Sequence, residues 1–282
     1  MAARRLPDQL SNYLEFCSYR RQGEQSGGVD LRDCRFIYPT TLLPLIASVA
    51  KYRWHLQIDS ETNAGGYLEY ILGRKSSSSG RTYVAPVRLP EDQEEAEEML
   101  KTVYALLRRS DLFSGNETAL RYVIAELVDN VYEHSMFSYS YVMAQRYEAR
   151  RFIELCFFDD GVTIPGSFEA SGHKYSQRNH WRAISDAIRG ASTKREGGRG
   201  FGLSSNVEMF RDAGGEVLIV SGFGAVYVHK GGVMAYRLTQ KNEMDGTLIS
   251  LRARDRSRTL NIYEYLERET SLEGAKNHET EL

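Results

Sequence analysis

The chain has 282 residues, 41% hydrophobic and 26% charged, which is enough for one large domain or two smaller ones and excludes a disordered chain. Its 36 basic and 38 acidic residues leave a net charge of −2, so nucleic acid is not indicated as a partner. No apolar run approaches the roughly 20 residues that span a bilayer, and no apolar stretch follows Arg4 and Arg5 as in a secretory signal. Three cysteines, Cys17, Cys34 and Cys156, lack metal-ligand spacing and cannot all pair, so a reducing, cytoplasmic compartment is the simplest expectation.

Residues 7–21 predict an amphipathic helix in which Leu10, Leu14 and Cys17 recur at helical spacing, broken by Gly23, Gly27 and Gly28. Residues 29–38 read as a strand, 40–51 as an apolar helix burying Leu42, Leu45, Ile46 and Val49, and 54–58 as a second strand. The polar stretch 75–80, with four consecutive serines, marks a linker, so a smaller N-terminal α/β unit is expected over 1–78. Beyond it, 82–89 read as a strand. Residues 91–109 read as a helix with Pro90 at its entrance and its acids ahead of its bases, as the helix dipole favours. A further helix is expected over 116–135 and strands over 139–147 and 151–158. A glycine-rich polar region at 161–200 is interrupted by a helix at 179–189. A helix from about 200 to 214 precedes strands at 216–221, 225–230, 233–238 and 247–252, and a helix at 260–268 leads into a tail. The expected fold class is α/β in the sandwich sense: helices on one face of a mixed, largely antiparallel sheet, with the N-terminal unit added. The expected division is 1–78, 79–256 and 257–282.

Three segments carry chemistry. In the helix around Thr118 to Ser135, Leu120, Val123, Ile124, Leu127, Val128 and Val131 form an apolar face. Glu126, Asn130 and His134, each four residues on, form a polar stripe with Asp129 and Glu133 beside it. Carboxylate and amide oxygens of this kind suit a hard cation such as Mg²⁺, although a solvated helix face reads the same way. The second segment, Phe158-Asp159-Asp160-Gly161-Val162-Thr163, follows a strand directly. An acid there can accept from an exocyclic amine such as that of adenine, and Gly161 lets the backbone turn close to a ligand. An ordinary Asp-Asp-Gly turn is the alternative. In the third, Gly197-Gly198-Arg199-Gly200-Phe201-Gly202-Leu203 opens a helix and offers backbone N–H groups to phosphate. It lacks the Gly-Lys-Ser/Thr ending of a P-loop and the βαβ context of a dinucleotide fold, and a glycine hinge is its plain alternative.

Taken in order, Glu-x-x-x-Asn on a helix, strand-Asp-x-Gly, a polar insertion, Gly-x-Gly-x-Gly-Leu and then Gly246-Thr247 at a strand start resemble the GHKL (histidine-kinase-like) ATPase superfamily. Glu126-x-x-x-Asn130-x-x-x-His134 is most similar to its anti-sigma-factor serine kinases. The resemblance spans roughly 91–252 and implies a Bergerat-type ATP-binding fold with ATP and Mg²⁺ as cofactors. It implies that Asn130 binds the metal and that Glu126 is the general base. Asp159 would accept from the adenine amine with Gly161 beside the base, while Gly198, Gly200 and Gly202, with Arg199, Phe201 and Leu203 between and after them, would wrap the phosphates. Thr247 would back the adenine pocket. Residues 166–197 correspond to the ATP lid, with Lys194 or Arg199 reaching the γ-phosphate. Thr163 stands where the family carries the second glycine of Asp-x-Gly-x-Gly, which puts fast turnover in question more than binding.

The functional expectation is a slow Mg²⁺-dependent ATPase used as a nucleotide-controlled regulatory switch. The alternatives are a protein serine/threonine kinase of the anti-sigma-factor type and a non-catalytic ATP-binding interaction module. A sensor histidine kinase is disfavoured, because His55, the only histidine ahead of the motif helix, sits in a strand-like context. Residues 29–39 with the apolar helix after them resemble a STAS-like (anti-anti-sigma-like) unit, a pattern shared with ordinary α/β packing. A regulatory protein partner and a nucleotide-dependent homodimer follow from the resemblance alone.

Overall fold

Leu10, Tyr13, Phe16 and Cys17 bury one side of the first helix, α1 (Asp8–Ser26), which runs on through Gly23 to a left-handed cap at Gly27. The structure, a computed structural model, describes residues 6–72, 82–108, 117–191, 202–254 and 265. The strand expected over 29–38 forms only as β1 (Gly28–Asp30). Its continuation is broken where Asp30 Oδ1 accepts from the backbone N–H and the guanidinium of Arg32, turning the chain. Helix α2 (Pro39–Tyr52) and strand β2 (His55–Gln57) follow, and β2 pairs in parallel with β1. A short helix, α3 (Asn63–Ile71), was not expected; the Thr62 hydroxyl caps it by accepting from Gly65 N–H at 2.9 Å.

The second part contains β3 (Tyr83–Arg88), α4 (Gln93–Arg108), α5 (Glu117–His134), β4 (Ser140–Tyr147) and β5 (Phe152–Asp159). Next come α6 (Ile164–Ala170), α7 (His180–Ile188) and α8 (Gly202–Asp212), then β6 (Glu216–Gly222), β7 (Gly224–His229), β8 (Gly232–Arg237) and β9 (Met244–Arg254). The linker at 75–80 and the helix at 260–268 lie outside the described residues, except Tyr265, which is buried and donates to Asp212 Oδ2 at 2.9 Å.

The molecule is mixed α/β. Seven strands form one sheet in the order β3-β4-β5-β9-β6-β7-β8, and every pairing in it is antiparallel. Side chains alternate across a strand, so a strand buried throughout must be covered on both faces. Strand β5 is buried at every position. Ile153, Leu155 and Phe157 join α4, α5, α7 and α8 in one apolar cluster, whereas Cys156 and Phe158 join α1 and α2 in another. The expectation of helices on one face therefore holds for the motif-bearing part, and the N-terminal helices form a further layer on the opposite face. Polar groups fasten that layer. Glu154, fully buried on β5, receives the Thr40 backbone N–H at the start of α2 (3.1 Å) and a charge-assisted bond from Arg252 Nη2 of β9 (2.7 Å). Gln9 of α1 donates to Ser250 O and Oγ of β9.

Candidate functional site

Helix α5 turns Leu120, Val123, Ile124, Leu127, Val128 and Val131 into the core, as their spacing predicts, and leaves Glu126 and Asn130 half-buried one turn apart. Helix α8 opens directly against this pair. A Cβ on Gly202 would stand 2.5 Å from Glu126 Oε2 and 3.5 Å from Asn130 Nδ2, so a side chain here would displace the end of Glu126. The first and third motif segments thus meet at Gly202; Gly197, Gly198, Arg199, Gly200 and Phe201 of the third, and Lys194 ahead of it, lie outside the described residues. Leu203 packs on the core cluster, and one turn into α8 the buried Asn206 makes a long hydrogen bond, 3.4 Å, to Val123 O of α5.

Asn130 Nδ2 is buried with no hydrogen-bond partner among the described residues. A buried amide without a partner costs free energy. Turned over about its last torsion, the same carboxamide presents Oδ1 at that point. The group therefore suits a ligand that engages it, including a cation held mainly by water and phosphate oxygens. No group of three or more His, Cys, Asp or Glu residues that could hold a metal by itself occurs among the described residues.

The second segment supplies the end of β5. Ser140, Asp159, Thr247 and Ser221 are register partners across β4, β5, β9 and β6. All four are buried, and their strand positions alternate onto the α5 side of the sheet with Val142, Phe157, Ile249 and Ile219. A polar row thus borders the sheet where α5 ends. Ser221 Oγ donates to Gly246 O (2.9 Å) and accepts from Ile164 N–H (2.9 Å), so the Thr247 hydroxyl, 3.1 Å away, is the donor in their contact. Neither Ser140 nor Ser221 was singled out in the sequence; each is a single serine at a strand end, and only register places it in the row.

Asp159 is 5% exposed. Burial pushes its carboxyl up to about 7, with the Gly161 N–H bond to Oδ1 (3.0 Å) opposing and the charge of Asp160 adding to the shift. Gly161 passes so close to the end of α5 that a Cβ would lie 1.9 Å from Ser135 O. Thr163, at the motif's second glycine position, has a role of its own in the fold. Its hydroxyl accepts from Gly166 N–H at 3.0 Å and caps α6, the unexpected first helix of the polar insertion. The second helix there, α7, buries Ala183 and Ile184, and His180 Nδ1 accepts from Phe223 N–H at 3.1 Å, so this part of the insertion is built into the core.

Among the described residues, no helix is long and apolar enough to cross a membrane. No protein-family model matches the chain, and no curated protein matches it.

Proposed function

We propose that the chain binds ATP with Mg²⁺ in a GHKL-type pocket between α5, the start of α8 and the polar row at the strand ends, and hydrolyses it slowly as a regulatory switch. The observation that carries this reading is the abutment of Gly202 on Glu126 and Asn130, with a buried, unpartnered amide on Asn130. Bound there, Mg²⁺ would offset the charge of the phosphates. Asn130 would ligate the cation through Oδ1, and the N–H groups opening α8 would face phosphate oxygens. The carboxylate of Glu126 would orient a water and take its proton during attack on the terminal phosphate. Asp159 would accept from the exocyclic amine of adenine, backed by Thr247 and Ser221. A nucleotide spanning these groups ties α8 and the insertion to α5, and phosphate release loosens that tie, which is the physical basis of a switch.

Calorimetric titration with ATP, with and without Mg²⁺, tests the reading on wild type, Asn130→Ala and Glu126→Ala. Wild type is expected to bind in a Mg²⁺-dependent manner, and Asn130→Ala to lose that dependence. Glu126→Ala should bind ATP but release no labelled phosphate from γ-labelled ATP. A wild-type protein that binds no ATP sinks the proposal, and label transferred to protein instead of free phosphate favours the kinase alternative.

A further inference from the structure

Asp160, next to the proposed base acceptor, joins three separate segments. Its Oδ1 accepts from the backbone N–H groups of Ser138 (2.9 Å) and Tyr139 (2.7 Å) in the connection from α5 to β4. Its Oδ2 accepts from Lys51 Nζ at 2.8 Å, and Lys51 lies in the last turn of α2. The Asp160 side chain is 5% exposed and that of Lys51 35%. Backbone bonds from Asp160 N to Tyr139 O (3.0 Å) and from Val162 N to Ser135 O (2.6 Å) complete the fastening of the turn that carries Asp159 and Gly161. Burial pulls the Asp160 carboxyl upward, but Lys51 and the two backbone donors outweigh it and hold the group below the usual carboxylate value.

The lysine matters because apolar packing does not close this corner. A small cleft lined by Phe16, Arg20, Ser48, Tyr139, Phe158 and Asp245 lies beside the ion pair, between the N-terminal helices and the strand ends. The Lys51–Asp160 bond bridges one side of that cleft. Removing the cation leaves a buried carboxylate with two neutral donors, and such a group reorganises toward water.

We propose that Lys51 is a positioning residue for the nucleotide pocket, acting through Asp160 to hold the turn of Asp159 and Gly161 in its base-accepting geometry. This rests on the nucleotide reading above. It also makes the N-terminal layer part of the binding site's support, without touching the ligand.

The test compares wild type with Lys51→Met, Lys51→Arg and Asp160→Asn in the full chain, each well below its melting transition. Two quantities are read: ATP affinity by calorimetry and amide hydrogen exchange at 138 and 139. Lys51→Met should weaken ATP binding by about 2- to 5-fold, the upper part of the range for an ion pair with one partner open to solvent, and speed exchange at both amides. Lys51→Arg should restore both. Asp160→Asn, which keeps an acceptor for the amides but no charge for Lys51, should weaken ATP binding to a similar extent. Equal ATP affinity in wild type and Lys51→Met overturns the proposal, even if exchange quickens, because the bond would then be a local brace only. A wild-type chain that binds no ATP overturns the pocket itself, an outcome distinct from a pocket that binds ATP without needing Lys51.

Discussion

A carboxyl with a pKa near 7 at the edge of the core links the candidate site to stability and to pH. In the unfolded chain Asp159 ionises near 3.8, whereas in the folded protein it does so at about 7. Because the folded value is the higher one, the contribution of the protonated group is fully present below about pH 4 and is lost as pH rises through 7. At about 1.4 kcal/mol per unit, the loss is on the order of 4 kcal/mol. Asp159→Asn keeps an acceptor for Gly161 N–H and carries no charge to bury. It should therefore gain stability over wild type at pH 8, with the gain shrinking toward pH 4, as urea melts at both pH values would show. Binding should respond in the opposite sense. In the proposed pocket the adenine amine would donate best to the ionised form, so wild-type ATP affinity should rise between pH 6 and 8, and the Asn variant should lose most of that affinity. A flat difference in stability across this range would remove the burial account. Asp159, Glu126 and Asn130 were legible in the sequence because strand-end position and four-residue spacing are local properties. Ser221 and the Lys51–Asp160 bond were not, since each depends on strand register or on a contact between distant parts of the chain.

Among the elements, long periodic segments were legible and short capped ones were not. Helices α2, α4 and α5 and all seven strands of the large sheet lie within a few residues of their expected places. Helix α3 begins with Asn-Ala-Gly-Gly and α6 has seven residues, so neither shows enough apolar repeat to rise above a loop. The threonine caps were the available signal, and Thr163 carries one with a consequence. Its side chain is committed to Gly166 N–H, so its hydroxyl stabilises the start of the insertion. Thr163→Ala should cost about 1 kcal/mol, whereas Thr163→Gly, which gives the Asp-x-Gly-x-Gly of the GHKL pattern, should cost only a few tenths. If the cap is all that Thr163 contributes, ATP affinity should change little in either variant. Thermal melts and titrations decide this, and tighter binding by the Gly variant alone would show that the side chain crowds the nucleotide.

At the scale of the whole molecule, the two covered faces of the sheet set the limits of the fold. The serine-rich stretch suggested a boundary near residue 78, a property of local composition. Packing across the sheet cannot be seen that way, because β5, apolar from Phe152 to Phe158 apart from Glu154, reads the same whether one face or both are covered. In the structure Tyr141, Met143, Cys156, Phe158, Leu218, Val220 and Leu248 share a cluster with Leu10, Phe16, Leu42 and Leu45 of the N-terminal helices. Glu154 and Arg252 draw further partners from Thr40 and, at 3.8 Å, Asp8. A fragment beginning at residue 82 would expose that entire face and leave the Glu154–Arg252 pair open on one side. Burial of a large aliphatic or aromatic side chain contributes about 1.5–3 kcal/mol, so exposing this many exceeds the net stability of an ordinary domain, about 5–15 kcal/mol. The fragment is therefore expected to aggregate or to remain loosely packed, binding a hydrophobic dye and lacking a cooperative melt, while the full chain melts in one transition. A soluble, cooperatively melting fragment would instead show that the motif-bearing part folds alone, and the N-terminal layer would then be a detachable cover over its sheet.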